Sequence, residues 1–194
     1  MTYRTVLLGD SHMEALANLL RPLLAAKSLE VVHVEANRGK STAWYVSEDR
    51  LEAIVRQYHP DIVVVELGTN DQPNESYAAT LNEAVSQLQS VGLPEIFWFG
   101  PSYTTTSLAS RFDAVRTQQA TVLPGLGVHW FDSWPMTRQG QGPDGVHFTS
   151  AGYQTWATGM SSKIEVASGV SSALPFVAIA LAAVCGIFLA RLFR

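Results

Sequence analysis

The run DIVVVELG, Asp61 to Gly68, constrains this chain most. Its apolar residues are consecutive rather than alternating. A β-branched run of that kind suits a strand covered on both faces, as in parallel sheets flanked by helices. Four more strand signals surround it: TYRTVLLG (strand over Tyr3 to Leu8), LEVVHVEA (Leu29 to Ala36), EIFWFG (Glu95 to Gly100) and GVHWFDS (Gly127 to Ser133). Between them, helical patterns run from His12 to about Lys27, Glu48 to Gln57, Glu75 to Val91 and Leu108 to Thr121, with a last one from Ser150. This alternation predicts an α/β fold, a parallel sheet with helices on both faces. No internal repeat interrupts it.

In such sheets, ligands sit beyond the carboxyl ends of the strands. The polar residues expected at that edge are Gly9-Asp10-Ser11, Asn37-Arg38-Gly39, Gly68-Thr69-Asn70-Asp71, the loop from Pro101, and Asp144 to His147. The loop before the last helix, RQGQGPDGVHF, is long, and long loops at such an edge tend to be functional.

These residues could carry out acyl transfer, which needs a nucleophile, a base, a group that orients the base, and donors for an oxyanion. Ser11 stands at a strand-to-helix bend, where unpaired N–H groups point outward. His147 is a candidate base. Asp144 precedes it by one turn, within reach of the imidazole. Gly39 can bring a bare N–H close to a substrate, and Asn70 offers a neutral NH₂. Each piece has a plainer reading alone. Ser11 could cap a helix, Gly39 could make a turn, Asn70 or Asp71 could cap the next helix, and His147 could be a surface residue. Their convergence at one sheet edge favours the joint role.

The stretches GDSH, NRGKST, ELGTND and PDGVHFTSAGY resemble the four blocks of the SGNH (GDSL-type) hydrolases, over Tyr3 to about Gly159. The resemblance implies a flavodoxin-like three-layer α/β/α sandwich with a five-stranded parallel sheet in the order 2-1-3-4-5. It implies Ser11 as nucleophile, His147 as base and Asp144 as its partner. The Ser11 N–H, Gly39 and Asn70 would then form the oxyanion hole. His12 stands where the family name has leucine, and reads as a first-turn surface residue. Asp10 is expected to brace the bend, Glu66 to partner a loop donor, and Asp132 to lie outside the triad. Trp44, Tyr103 and Trp134 are candidate pocket residues. The expected substrate is a small ester, a lipid or an acylated glycan. The class at odds with this is a non-enzymatic membrane or virion protein that reuses the domain for binding or structure.

Charge and cysteine content exclude other classes. The net charge is −4 with no Lys/Arg cluster, so no nucleic-acid partner is expected. Cys185 is the one cysteine, and the five histidines show no zinc-ligand spacing, so neither metal nor cofactor is expected. Oligomeric state is not legible.

The last stretch is different. Residues 173–190, ALPFVAIALAAVCGIFLA, are eighteen residues without a charge. As a helix they would span ~27 Å, close to a ~30 Å hydrocarbon core. The expected organisation is therefore a catalytic domain over 1–160, a small polar linker over 161–172, a transmembrane helix over 173–190 and a short basic tail over 191–194. Arg191 and Arg194 favour a C-terminus inside. The start, Met1 into TYRTVLLGD, has too short an apolar run for a secretory signal, which favours a tail anchor with the domain on the cytoplasmic side. We take the second as the expectation.

Overall fold

The computed structural model describes residues 1–165. Its first compact unit runs from Met1 to Ile164. Strands β1 (Tyr3–Gly9), β2 (Leu29–Ala36), β3 (Ile62–Glu66), β4 (Glu95–Phe99) and β5 (His129–Phe131) form one sheet in the order β2-β1-β3-β4-β5. Every pairing is parallel, and Gly9 lies opposite both Ala36 and Glu66. The expected strand order is the observed one.

Helices α1 (Ser11–Ala25), α2 (Thr42–Val46), α3 (Arg50–Tyr58), α4 (Tyr77–Leu88), α5 (Ala109–Val122), α6 (Trp134–Thr137) and α7 (Ser150–Lys163) fill the connections. On one face, Val6, Leu8, Val63 and Val65 pack with Ile54 and Val55 of α3, Leu81 of α4 and Val115 of α5. Strand alternation turns Leu7, Val64 and Glu66 to the other face, where α1 and α7 pack together. β3 is buried throughout, as the run that specifies it requires.

Two short helices, α2 and α6, were not legible in the sequence, because neither is long enough to set up a 3.6-residue period. β5 is shorter than its signal, since a 3₁₀ turn at Leu123–Leu126 ends on Gly127 at φ 78° just before it. α7 continues to Lys163, into the stretch expected as linker, and Ile164 is fully buried. The expected transmembrane helix and basic tail lie outside the described residues. Among the described residues, no helix is long and apolar enough to cross a membrane.

Candidate active site

β1 stops at Gly9 because the chain must pass close to β3. A Cβ there would sit 2.4 Å from the Glu66 carbonyl oxygen and 2.6 Å from Met13 Cβ. Asp10 follows as the N-cap of α1, its Oδ1 accepting from the His12 N–H at 2.9 Å. Ser11 is then the first helical residue, where the backbone N–H has no partner within the helix.

Ser11 Oγ lies 3.0 Å from His147 Nε2, and His147 Nδ1 lies 2.7 Å from Asp144 Oδ2. The other Asp144 oxygen accepts from the N–H groups of Val146 and His147, at 3.0 and 2.9 Å. The His147 side chain first, and these two N–H groups next, hold the Asp144 carboxyl down at about 2. Both side chains are about half exposed, 48% for His147 and 55% for Asp144.

A small hairpin carries the pair. Gly142 N–H donates to the His147 carbonyl at 2.6 Å, Thr149 N–H donates to Gly140 at 2.8 Å, and Gln141 bridges Phe148. Gly145 turns the chain at φ 68°, a conformation open to glycine. From the loop after β4, the buried Thr104 hydroxyl donates to the Gly145 carbonyl at 2.6 Å.

Gly39 adopts φ 70° in a turn closed by Lys40 N–H on the Asn37 carbonyl, and a Cβ there would meet nothing within 4 Å. The turn is tied to the end of β1 by Tyr45, whose hydroxyl donates to the Gly9 carbonyl at 2.6 Å and accepts from Asn37 Nδ2 at 3.1 Å. Asp71 ties it to the loop after β3, accepting from the Thr42 N–H and hydroxyl at 2.9 and 2.8 Å. Burial raises Asp71 to about 6. Asn70 is half-buried beside it. Its Nδ2 donates to Asp10 Oδ2 at 2.8 Å and to the Lys40 carbonyl at 3.3 Å.

The expectations for His12 and Glu66 need correction. His12 is not a surface residue: it is fully buried. Its Nδ1 lies 3.1 Å from the Tyr153 hydroxyl, and its ring stands 5.2 Å from those of both His147 and Trp156. The cause is α7, which packs on α1 and covers its first turn. Burial, and then the nearby His147, lower His12 to about 3, so its imidazole is neutral. Glu66 was expected to meet a loop donor, yet strand alternation points it beneath α1, where its carboxyl faces the Asp10 side chain and the Met13 backbone. Asp132 is engaged elsewhere, accepting from Arg116 at 2.9 Å and from the Trp134 N–H at 3.0 Å.

The three aromatic candidates are not gathered together. The Arg50 guanidinium covers Trp44 at 4.0 Å. Tyr103 and Trp134 pack edge to face at 5.3 Å. None of the three lines the cleft of about 180 Å³ beside Asn70, whose walls include Ser41, Gln72, Asn74, Ser76 and Thr80. Sequence reasoning missed the bracing roles of Thr104, Asp71 and Tyr45, which depend on contacts between distant segments.

The family model described as GDSL-like Lipase/Acylhydrolase family matches residues 7–155. The fold is similar to that of the M. smegmatis aryl esterase, with a TM-score of 0.66 and 18% identity over 84% of this chain and 98% of that one. A lipase/acylhydrolase from Enterococcus faecalis gives a TM-score of 0.67 and 20% identity, covering 84% and 95%. A carbohydrate acetylesterase from Sinorhizobium meliloti gives 0.66 and 13%, covering 84% and 98%. At these identities the likeness is one of fold. No curated protein shows significant sequence similarity to the chain.

Proposed function

We propose, for a chain that belongs to the GDSL-like lipase/acylhydrolase family and is an ester-hydrolysing enzyme, that Ser11, His147 and Asp144 form its catalytic triad. The observation that carries this reading is the chain of contacts from Ser11 Oγ to His147 Nε2, 3.0 Å, and from His147 Nδ1 to Asp144 Oδ2, 2.7 Å. Ser11 Oγ attacks the ester carbonyl carbon as its proton passes to His147 Nε2. Asp144 fixes the imidazole tautomer and stabilises the imidazolium. The carbonyl π pair moves onto oxygen. That oxyanion is met by the N–H groups of Ser11 and Gly39 and by Asn70 Nδ2. Collapse expels the alcohol, which takes the proton from His147. Water then attacks the acyl-serine with His147 as base, releasing the acid and restoring Ser11.

The substrate in this reading is a small ester. The cleft of about 180 Å³ beside Asn70 has Ala43 and Tyr77 in its walls as well as hydroxyl and amide side chains. Among the described residues, Met1 and Leu93 are the large apolar side chains that stand exposed, and Leu93 follows α4 at the end remote from Asn70. Residues 173–190, uncharged over eighteen positions, serve in this reading as a single-pass membrane anchor with the domain on the cytoplasmic side. Alkaline carbonate should leave the full-length chain in the membrane pellet.

Labelling with a fluorophosphonate tests the assignment. The wild type should take up one label and Ser11→Ala none. Undiminished labelling of Ser11→Ala would exclude Ser11 as the nucleophile.

A further inference from the structure

Asp10 does more than cap a helix. Its two carboxylate oxygens serve different partners. Oδ1 accepts the His12 N–H at 2.9 Å and so caps α1, while Oδ2 accepts Asn70 Nδ2 at 2.8 Å. The same Nδ2 reaches the Lys40 carbonyl at 3.3 Å. Both partners of the amide are pure acceptors. An acceptor pair determines which end of an otherwise ambiguous amide faces it, so here it must be the NH₂ end. That end therefore lies between the residue before Ser11 and the residue after Gly39.

The carboxylate is able to do this because of where it sits. Asp10 is fully buried, with Glu66 on the facing strand and Asp71 nearby. Burial, followed by the Asp10 charge, raises Glu66 well above the ordinary carboxyl range. Burial raises Asp10 as well, but only to about 6, so near neutral pH Glu66 is the member of the pair that keeps its proton and Asp10 the one that is ionised. A protonated Glu66 has a hydrogen for Asp10 and adds no second charge, while the Met13 backbone N–H faces the carboxyl as well. Two ionised carboxylates could not share that space.

We propose that Asp10 is a positioning residue for the oxyanion hole, its Oδ2 holding the Asn70 amide so that Nδ2 presents a hydrogen to the reacting carbonyl. One Asn70 hydrogen is committed to Asp10. The other, on the longer bond to Lys40, is the one available to the oxyanion. The carboxylate also links the Ser11 helix to the Asn70 loop, so the nucleophile and the donor are held in one frame. This rests on the reading of Asn70 as an oxyanion donor.

Two substitutions separate the roles. Asp10→Asn keeps an oxygen for the His12 N–H but turns an NH₂ group toward the Asn70 NH₂. Asp10→Ser keeps a capping oxygen and is too short to reach Asn70. In the full-length chain with p-nitrophenyl acetate, each should lower kcat by ~10²-fold with KM nearly unchanged, the size expected for loss of one oxyanion donor. In an Asn70→Ala background, either should change kcat by less than about threefold, because the amide it positions is gone. Wild-type kcat in Asp10→Asn beside an impaired Asn70→Ala overturns the proposal alone. So does a double variant whose losses multiply. Failure of both Asp10 variants to fold reduces the residue to a helix cap and also overturns it. Wild-type kcat in Asn70→Ala overturns the oxyanion reading and the proposal together.

Discussion

Thr104 donates to the Gly145 carbonyl at 2.6 Å, so the loop after β4 supports the turn that holds Asp144 in place. Thr104→Val keeps the shape and removes the donor. It should lower stability by about 1–3 kcal/mol, because the Gly145 carbonyl loses its donor and the Thr106 N–H and hydroxyl lose their partner, and reduce kcat more than it raises KM. Urea melts beside ester kinetics check this. A variant that is destabilised but fully active would mean that the turn keeps its geometry without Thr104.

His147→Ala should be about as damaging as Ser11→Ala, on the order of 10⁴-fold or more in kcat. The double variant should be no worse than either single change, since the two groups act as one unit. Independent, multiplying losses would contradict a direct transfer of the proton between them.

Asp144→Asn should keep the fold and impair turnover severely, while Asp132→Asn should be mild, because Asp132 is already bound to Arg116 and the Trp134 N–H. Comparing kcat for the two folded variants decides between the acids. The reverse order would assign the triad to Asp132.

His12 should make stability depend on pH. Its folded value is about 3, below the 6.5 of the unfolded chain. Between those values the unfolded state binds the extra proton, so stability is fully present above about 6.5 and is lost as pH falls toward 3. His12→Leu has no such proton. The stability of wild type relative to His12→Leu should therefore fall by about 1.4 kcal/mol per pH unit across that window. Denaturant melts at pH 7.5, 5.5 and 4.5 measure it, and a constant difference would refute a buried neutral imidazole.

Gly9→Ala places a Cβ 2.4 Å from the Glu66 carbonyl oxygen, a backbone atom that cannot swing aside. Overpacking of this kind costs about 1–3 kcal/mol, and relief would shift the Ser11 helix. Thermal stability and kcat should drop together. A variant with unaltered melting and kinetics would show slack between β1 and β3 that these distances leave no room for.

The sequence made the sheet legible because each strand carried its own signal, strongest in Ile62 to Val65, and because the crossovers were long enough for helical periods. The placement of Ser11, Gly39, Asn70, Asp144 and His147, though not their roles, was legible for another reason: all five fall where strand ends or long loops reach one edge. His12 was misread because its burial comes from α7, a helix some 140 residues further on. Asp10 was read as a brace, but its bond to Asn70 joins loops that no local pattern connects. Trp44 is covered by Arg50 and Tyr103 packs on Trp134, contacts that join residues too far apart in the chain for a local pattern to show. The choice between an enzyme and a non-enzymatic scaffold was decided by family membership.

Ser11 and His147 meet across a separation of 136 residues. The hydroxyl opens the first helix of the domain, and the imidazole stands just before the last. A chain still emerging during synthesis therefore carries its serine long before anything can activate it. In the proposed triad, the proton acceptor should reach the serine only when α7 has docked beside α1. Ester turnover thus reports completed folding, and a time course of appearing activity during refolding should trail the burial of Trp98 within the sheet and coincide with that of Trp156 on α7.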